Sequence, residues 1–189
     1  MSLMFLLSAA MLRAQVHTDK PEDSRNMISF TPVGFMVVYE QFDPCVGIDY
    51  EYIIDRERGI GLYVPLVLGY QGPEQNGILG PSYKHWAFYA APGLRVHSPL
   101  GRSGKRKAFI TGLSLLTGNM HMYHTAYGAS AAHNETFNYA LTGLATDNTL
   151  DFYNRHFVFG IDSRVGYVFE DHGWSRFFIH LGLHFGGRF

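Results

Sequence analysis

Apolar and small residues alternate with a period of two along most of this chain. In the last stretch, Phe177, Ile179, Leu181, Leu183, Phe185, Gly187 and Phe189 share one phase. Phe178, His180, Gly182, His184, Gly186 and Arg188 share the other, which Arg176 begins. A two-residue period sorts side chains onto opposite faces of a strand, so this segment is a strand with one greasy face and one small or basic face. The same pattern recurs at Val46–Ile54, Gly59–Tyr70, Lys84–His97, Phe109–Gly118 and Tyr153–Phe169. Two segments are less regular. Ile28–Phe42 is apolar on both phases, and Phe137–Ala145 sets Phe137, Tyr139 and Leu141 against Asn138, Ala140 and Thr142. Together they make about eight strands.

The connectors carry turn chemistry. Asp55–Gly59 is a tight charged turn, and Ser98–Lys107 contains Pro99, Gly101 and Gly104. Gln71–Tyr83 and Thr125–Asn134 read as loops, and Asp147-Asn148 and Asp171-His172-Gly173 as turns. Pro65 and Pro92 fall inside strand patterns. Proline has no ladder donor, so each marks a bulge or an interruption.

Alternation alone does not say which phase faces outward. A soluble calyx of the lipocalin kind keeps its greasy phase inside, whereas a membrane barrel turns it to lipid. The second phase decides. It is glycine and alanine with sparse charges, Asp49, Glu51, Arg95, Asp162, Arg164, Arg176 and Arg188, where a water-facing phase would be rich in Lys, Glu and Thr. Small residues and paired charges suit a crowded lumen, so these seven are the candidate lumen charge network. The other phase is almost uncharged, apart from Lys107 and Arg155 near strand ends. It offers Tyr70, Trp86, Tyr153, Tyr167, Phe169 and Phe189 as interfacial girdles. The expected fold class is all-β, a closed antiparallel up-and-down transmembrane barrel. An even strand count puts both ends of the mature chain in the periplasm and the loops after the first, third, fifth and seventh strands outside.

With these features the chain resembles the small bacterial outer-membrane barrels of the outer membrane protein A and X type. The resemblance rests on the strand pattern and on the last strand, Leu181, Leu183, Phe185 and terminal Phe189, with Gly187 where the family often has a second aromatic. It implies an outer-membrane location, membrane lipid as a partner, and recognition of that last strand by the barrel-assembly machinery. It also implies a monomer whose narrow lumen is filled by side chains.

Composition narrows the alternatives. Net charge is −1 and the isoelectric point about 6.8, which gives no electrostatic case for nucleic acid. The single cysteine, Cys45, excludes an internal disulfide. Residues 1–15 resemble an export signal: Leu3–Leu7 are mainly apolar, and cleavage would follow Ala10 or Ala14. Residues 16–26 are a polar tether and 27–189 the barrel domain.

Candidate chemistry is thin, and the reading assigns no cofactor, metal or catalytic residue. His121 and His124 point to opposite faces. His180 and His184 share a face but lie roughly 13 Å apart along the strand. A lipid-modifying enzyme of the lipid A deacylase kind would show His-x-Ser, which is absent, leaving Ser114 and Ser163 as candidate hydroxyls. The basic turn Arg102–Lys107 reads as solvated, and Asn134-Glu135-Thr136 marks a surface loop. The expected role is non-enzymatic, envelope-structural or surface-interacting. A surface partner would meet Ser130, His133 and the Gln71–Tyr83 loop.

Overall fold

The computed structural model describes residues 25–38, 41–75, 82–99, 107–127, 132–154, 156–170 and 176–189. The proposed signal and most of the tether, Ser130, the basic run 102–106, Arg155 and Asp171–Gly173 lie outside the described residues, as does the side chain of His133.

The strands are β1 (Asn26–Val38), β2 (Gln41–Asp55), β3 (Ile60–Gln75), β4 (Ser82–Ala90), β5 (Gly93–Pro99), β6 (Lys107–Tyr127), β7 (Ala132–Asn154), β8 (Phe157–Val168) and β9 (Phe177–Arg188). β4 and β5 are two halves of one wall strand, because both pair with β3 and with β6 and the register is unchanged across the gap between them. The gap is the Ala91-Pro92 step, where Pro92 contributes no N–H. Its neighbours still bond across: Ala91 N donates to the Pro65 carbonyl at 3.2 Å and Leu115 N to the Pro92 carbonyl at 2.9 Å. The wall therefore has eight antiparallel strands, each paired with its sequence neighbours, and β1 closes on β9.

Followed once round the wall, the register runs from Tyr167 through Leu144, Leu115, Val64, Tyr50, Ile28 and Gly187 back to Phe157, ten residues along the same strand. That stagger over eight strands implies a tilt of roughly 40° and an interior that side chains alone can fill. At the end carrying both termini, Asn26 N donates to the Phe189 carbonyl at 3.1 Å and Phe189 N to the Asn26 carbonyl at 3.0 Å. The Asp55–Gly59 turn lies at the same end. Asp55 Oδ1 accepts from Glu57 N and Arg58 N, and Gly59 has φ 65°, where a Cβ would lie 2.7 Å from the His97 carbonyl.

The greasy phase points outward around the wall: Val46, Leu62, Leu66, Leu68, Leu94, Leu113, Phe159, Ile161, Val165, Leu183 and Phe185 are exposed. Charged and small residues of the opposite phase are buried inside. The inward-facing calyx is thereby overturned.

The structure corrects several boundaries. Ile28–Phe42 is apolar on both phases because a bulge between Thr31 and Gly34 swaps them: Met27, Ser29 and Thr31 face in, then Met36 and Val38. β1 ends at Val38 and β2 starts at Gln41. Asp147-Asn148 is not a turn but lies within β7, which runs to Asn154, and β8 starts at Phe157. Tyr153 consequently ends β7 and donates to the buried Asp151 carboxylate, so it is no outward girdle residue. The loops read at Gln71–Tyr83 and Thr125–Asn134 are largely strand, since β3 reaches Gln75, β4 starts at Ser82, β6 reaches Tyr127 and β7 starts at Ala132.

These longer strands form a wall that projects beyond the rest at the far end. The β2–β3 ladder stops at Cys45↔Gly69 and the β7–β8 ladder at Gly143↔Val168, while β6 and β7 stay paired out to Tyr127↔Ala132. Polarity inverts along the same strands. In lower β6, Phe109, Leu113 and Leu115 face out, while Ile110 and Ser114 face in. In upper β6, Asn119 and Tyr123 face out while Met120 and Met122 are buried. Phe137, Tyr139 and Leu141 therefore lie on the inner phase, with Leu141 fully buried. This corrects the placement of that greasy phase in lipid.

If the outer surface of the lower wall meets hydrocarbon, arginine should cost in proportion to depth. Ile161→Arg, midway along β8, is expected to lose about 2–4 kcal/mol, and Tyr167→Arg, at the strand end, about 0–1 kcal/mol, in denaturant unfolding from lipid vesicles. Equal small costs at both depths would contradict a lipid-facing surface.

Candidate functional site

The described side chains that carry chemistry are gathered in the lumen, in two layers. The layer nearer the termini is polar and centred on Arg164, whose side chain is 0% exposed. Alternation on β8 aims it inward between Gly166 and Asp162. Its Nε donates to Asp147 Oδ1 at 2.6 Å and its Nη1 to Tyr89 Oη at 2.8 Å, with His180 Nδ1 at 2.9 Å. Its Nη2 donates to Tyr63 Oη and lies 3.5 Å from Asp49 Oδ1 and 3.6 Å from Asp162 Oδ2. Tyr63 in turn donates to Asp49 at 2.8 Å. One guanidinium thus ties β8 to β2, β3, β4, β7 and β9, and its planar fork is the group able to do this.

Smaller units surround this centre. Arg95 sits 3.5 Å from Asp147 Oδ1 and stacks over the Tyr63 ring at 3.1 Å. His184 bridges Asp151 Oδ1 at 2.9 Å and Asp162 Oδ1 at 3.5 Å. His97 contacts Glu51. Glycines make room for these contacts: a Cβ on Gly160 would lie 2.7 Å from His184 Cε1, and one on Gly182 would lie 2.8 Å from Asp162 Oδ1.

The second layer, toward the far end, is apolar. Met36, Val38, Cys45, Val67, Leu116, Met120, Met122, Leu141, Val168 and Phe178 form one buried cluster. Tyr89 joins the layers, its ring edge-on to Phe178 at 4.9 Å and its hydroxyl on Arg164. The buried pair His85–Asp43 also lies toward the far end of the lumen.

Of the seven charges read from the sequence, Asp49, Glu51, Arg95, Asp162 and Arg164 are buried in the lumen, and Asp49, Asp162 and Arg164 meet directly. Arg176 and Arg188 stand apart. Each lies at a strand end, where the lumen opens. Arg176 donates to the Tyr167 hydroxyl at 3.2 Å at the far rim, and Arg188 stacks over Tyr153 at 3.8 Å at the other. Sequence reasoning missed Asp147 and Asp151, taken for turn chemistry or passed over, and the bridging tyrosines Tyr63 and Tyr89. Tyr63 and Tyr89 lie on the small-residue phase of their strands, which was the available signal, whereas Asp147 and Asp151 share the phase of Phe137, Tyr139 and Leu141, which was read as greasy. In the last strand, Leu181, Leu183 and Phe185 face outward or partly outward, and Phe189 closes onto Asn26.

The candidate hydroxyls are bonded to backbone: Ser114 Oγ donates to the Ala145 carbonyl at 3.3 Å and Ser163 Oγ to the Asn148 carbonyl at 3.3 Å. His121 stacks on Trp86 at 5.4 Å and lies 2.6 Å from Asn138 Oδ1 on the outward face of the projecting wall. Among the described residues, no three His, Cys, Asp or Glu side chains converge as a metal set would.

No protein-family profile matches the chain, and no curated protein sequence does. Solved structures do match. The attachment invasion locus protein Ail of Yersinia pestis superposes with a TM-score of 0.55 at 15% identity, over 88% of this chain and 99% of that one. Its complex with the heparin analogue sucrose octasulfate gives 0.50 at 13% identity, over 88% and 97%. Neisserial surface protein A gives 0.53 at 9% identity, over 87% and 96%. At these identities the likeness is one of fold: the chain has the architecture of the small eight-stranded outer-membrane barrels.

Removing the Arg164 charge would leave Asp49, Asp147 and Asp162 facing one another. Arg164→Met is expected to cost about 3–5 kcal/mol in vesicle unfolding, with partial recovery when Asp147→Asn is added. A cost below about 1 kcal/mol would show that Arg164 does not organise the lumen.

Proposed function

We propose that the protein is a non-enzymatic integral outer-membrane barrel that presents the projecting β3, β4, β6 and β7 wall to a partner at the cell surface. The observation that carries this reading is the inversion of polarity along β6 and β7. A wall that stayed in lipid would keep its greasy face outward along its whole length. Here the upper part buries Met120, Met122 and Leu141 and exposes Asn119, Tyr123, Thr136 and Asn138, as a wall standing in water does. Exposed aromatics lie on the outward face of the same part: Tyr70, Trp86 and Tyr123. Such residues supply rigid contact area at interfaces. The filled lumen supports a role outside the barrel, and the backbone-bonded Ser114 and Ser163 support a role other than hydrolysis.

Two measurements test this. A cysteine at Thr136 should react with a membrane-impermeant maleimide on intact cells, whereas the buried Cys45 should not, and the protein should resist carbonate extraction. Protection of residue 136 in intact cells, or release by carbonate, would overturn the reading. Replacing residues 125–134 by a two-residue turn should leave heat-modifiable folding intact and abolish any adhesion that expression of the full chain confers.

A further inference from the structure

The His85–Asp43 pair is not needed to close the Arg164 network, and its surroundings are unusual. His85 is 2% exposed, with Nε2 against Asp43 Oδ1. Both ring nitrogens, Nδ1 and Nε2, are buried without a hydrogen-bond partner, as are both Asp43 carboxylate oxygens, so the pair touches without a formed hydrogen bond. An orphaned buried nitrogen calls for an explanation, and a carboxylate on one imidazole nitrogen is the arrangement that orients the other toward a metal.

Sulfur lies on both sides of the pair. Met122 is the direct cross-strand partner of His85, and Met36 is the direct cross-strand partner of Asp43. Side chains so placed have Cβ atoms about 4.5–5.5 Å apart, within reach of a thioether and an imidazole. Met36 and Asp43 both crowd over Gly69, where a Cβ would lie 3.3 Å from Met36 Sδ and 3.0 Å from Asp43 Cβ. Met120, cross-strand from Ala87, belongs to the same buried cluster, as does Cys45. Three of the four methionines among the described residues therefore sit in one cluster at the far end of the lumen, beside this histidine.

We propose that His85 Nδ1 and the thioethers of Met122, Met120 and Met36 form a binding site for a soft monovalent cation of the copper(I) or silver(I) class, with Asp43 orienting His85. Thioethers select such ions, and a borderline ion such as zinc would prefer thiolate, imidazole and carboxylate sets. The site lies at the far end of the lumen, away from the terminus-bearing rim.

The test is silver(I) titration of the full chain folded in detergent, read by calorimetry, with copper(I) under reductant as a second probe competed by a chromogenic chelator. Met120→Leu/Met122→Leu is the main variant, because leucine keeps the volume and apolar packing and removes only sulfur. The wild type should bind one ion that this variant binds at least tenfold more weakly, with heat-modifiable migration unchanged. His85→Gln should weaken binding similarly. If it fails to fold, the leucine variant decides. Cys45→Ala should bind as the wild type does. Equal binding by wild type and the leucine variant would overturn the proposal and leave the methionines as core fillers. Loss of binding in Cys45→Ala alone would overturn it in favour of simple thiol capture.

Discussion

Hydrocarbon offers no partner to a backbone N–H or C=O, so a sheet that crosses it must close on itself. The reciprocal bonds between Asn26 and Phe189, and the β1–β9 ladder behind them, satisfy that requirement. Closure with eight strands and a stagger of ten residues then fixes the interior. It is narrow enough for side chains to fill. Inward positions are small, apolar, or polar and paired with groups across the axis. That is why Gly160 and Gly182 lie beside His184 and Asp162, and why the large inward groups Arg164, Tyr63 and Tyr89 converge on one another.

The two-layer lumen follows from what lies outside the wall at each height. Where the outside is lipid, an apolar side chain gains nothing by turning inward, because lipid is as apolar as any core. Polar groups go inside, where they can be paired, and Arg164 spends its guanidinium donors on Asp147, Tyr89, His180 and Tyr63. Where the outside is water, burial again stabilises apolar groups by about 25 cal/mol per Å². Toward the far end the lumen holds Met36, Leu116, Met120, Leu141 and Phe178. One continuous strand such as β6 therefore carries opposite patterns in its two halves.

Much of the fold was legible because a single period governs most of the chain. Alternation marked the strands of the wall, the turn chemistry between them gave their antiparallel order, and the small, sparsely charged second phase put the greasy face outward. The readings failed where a second rule displaced the first. At Thr31–Gly34 one extra residue swaps the phases of β1, so neither phase looked polar. In β7, Phe137, Tyr139 and Leu141 looked lipid-facing because the rule was carried above the height where it holds. Asp147 looked like a turn because aspartate and asparagine are turn formers. In a polar lumen, however, the same carboxylate can face an arginine two strands away, and nothing local in the sequence distinguishes the two uses. The site was legible only in part for the same reason. Charges on the inward phase can be read from one strand, but which of them meet depends on stagger. Asp49 and Arg164 lie far apart in sequence, and Tyr63, which bonds both, carries no charge to mark it. Stagger is a property of the closed wall as a whole, so the pairing in the lumen is settled only once the last strand has bonded to the first.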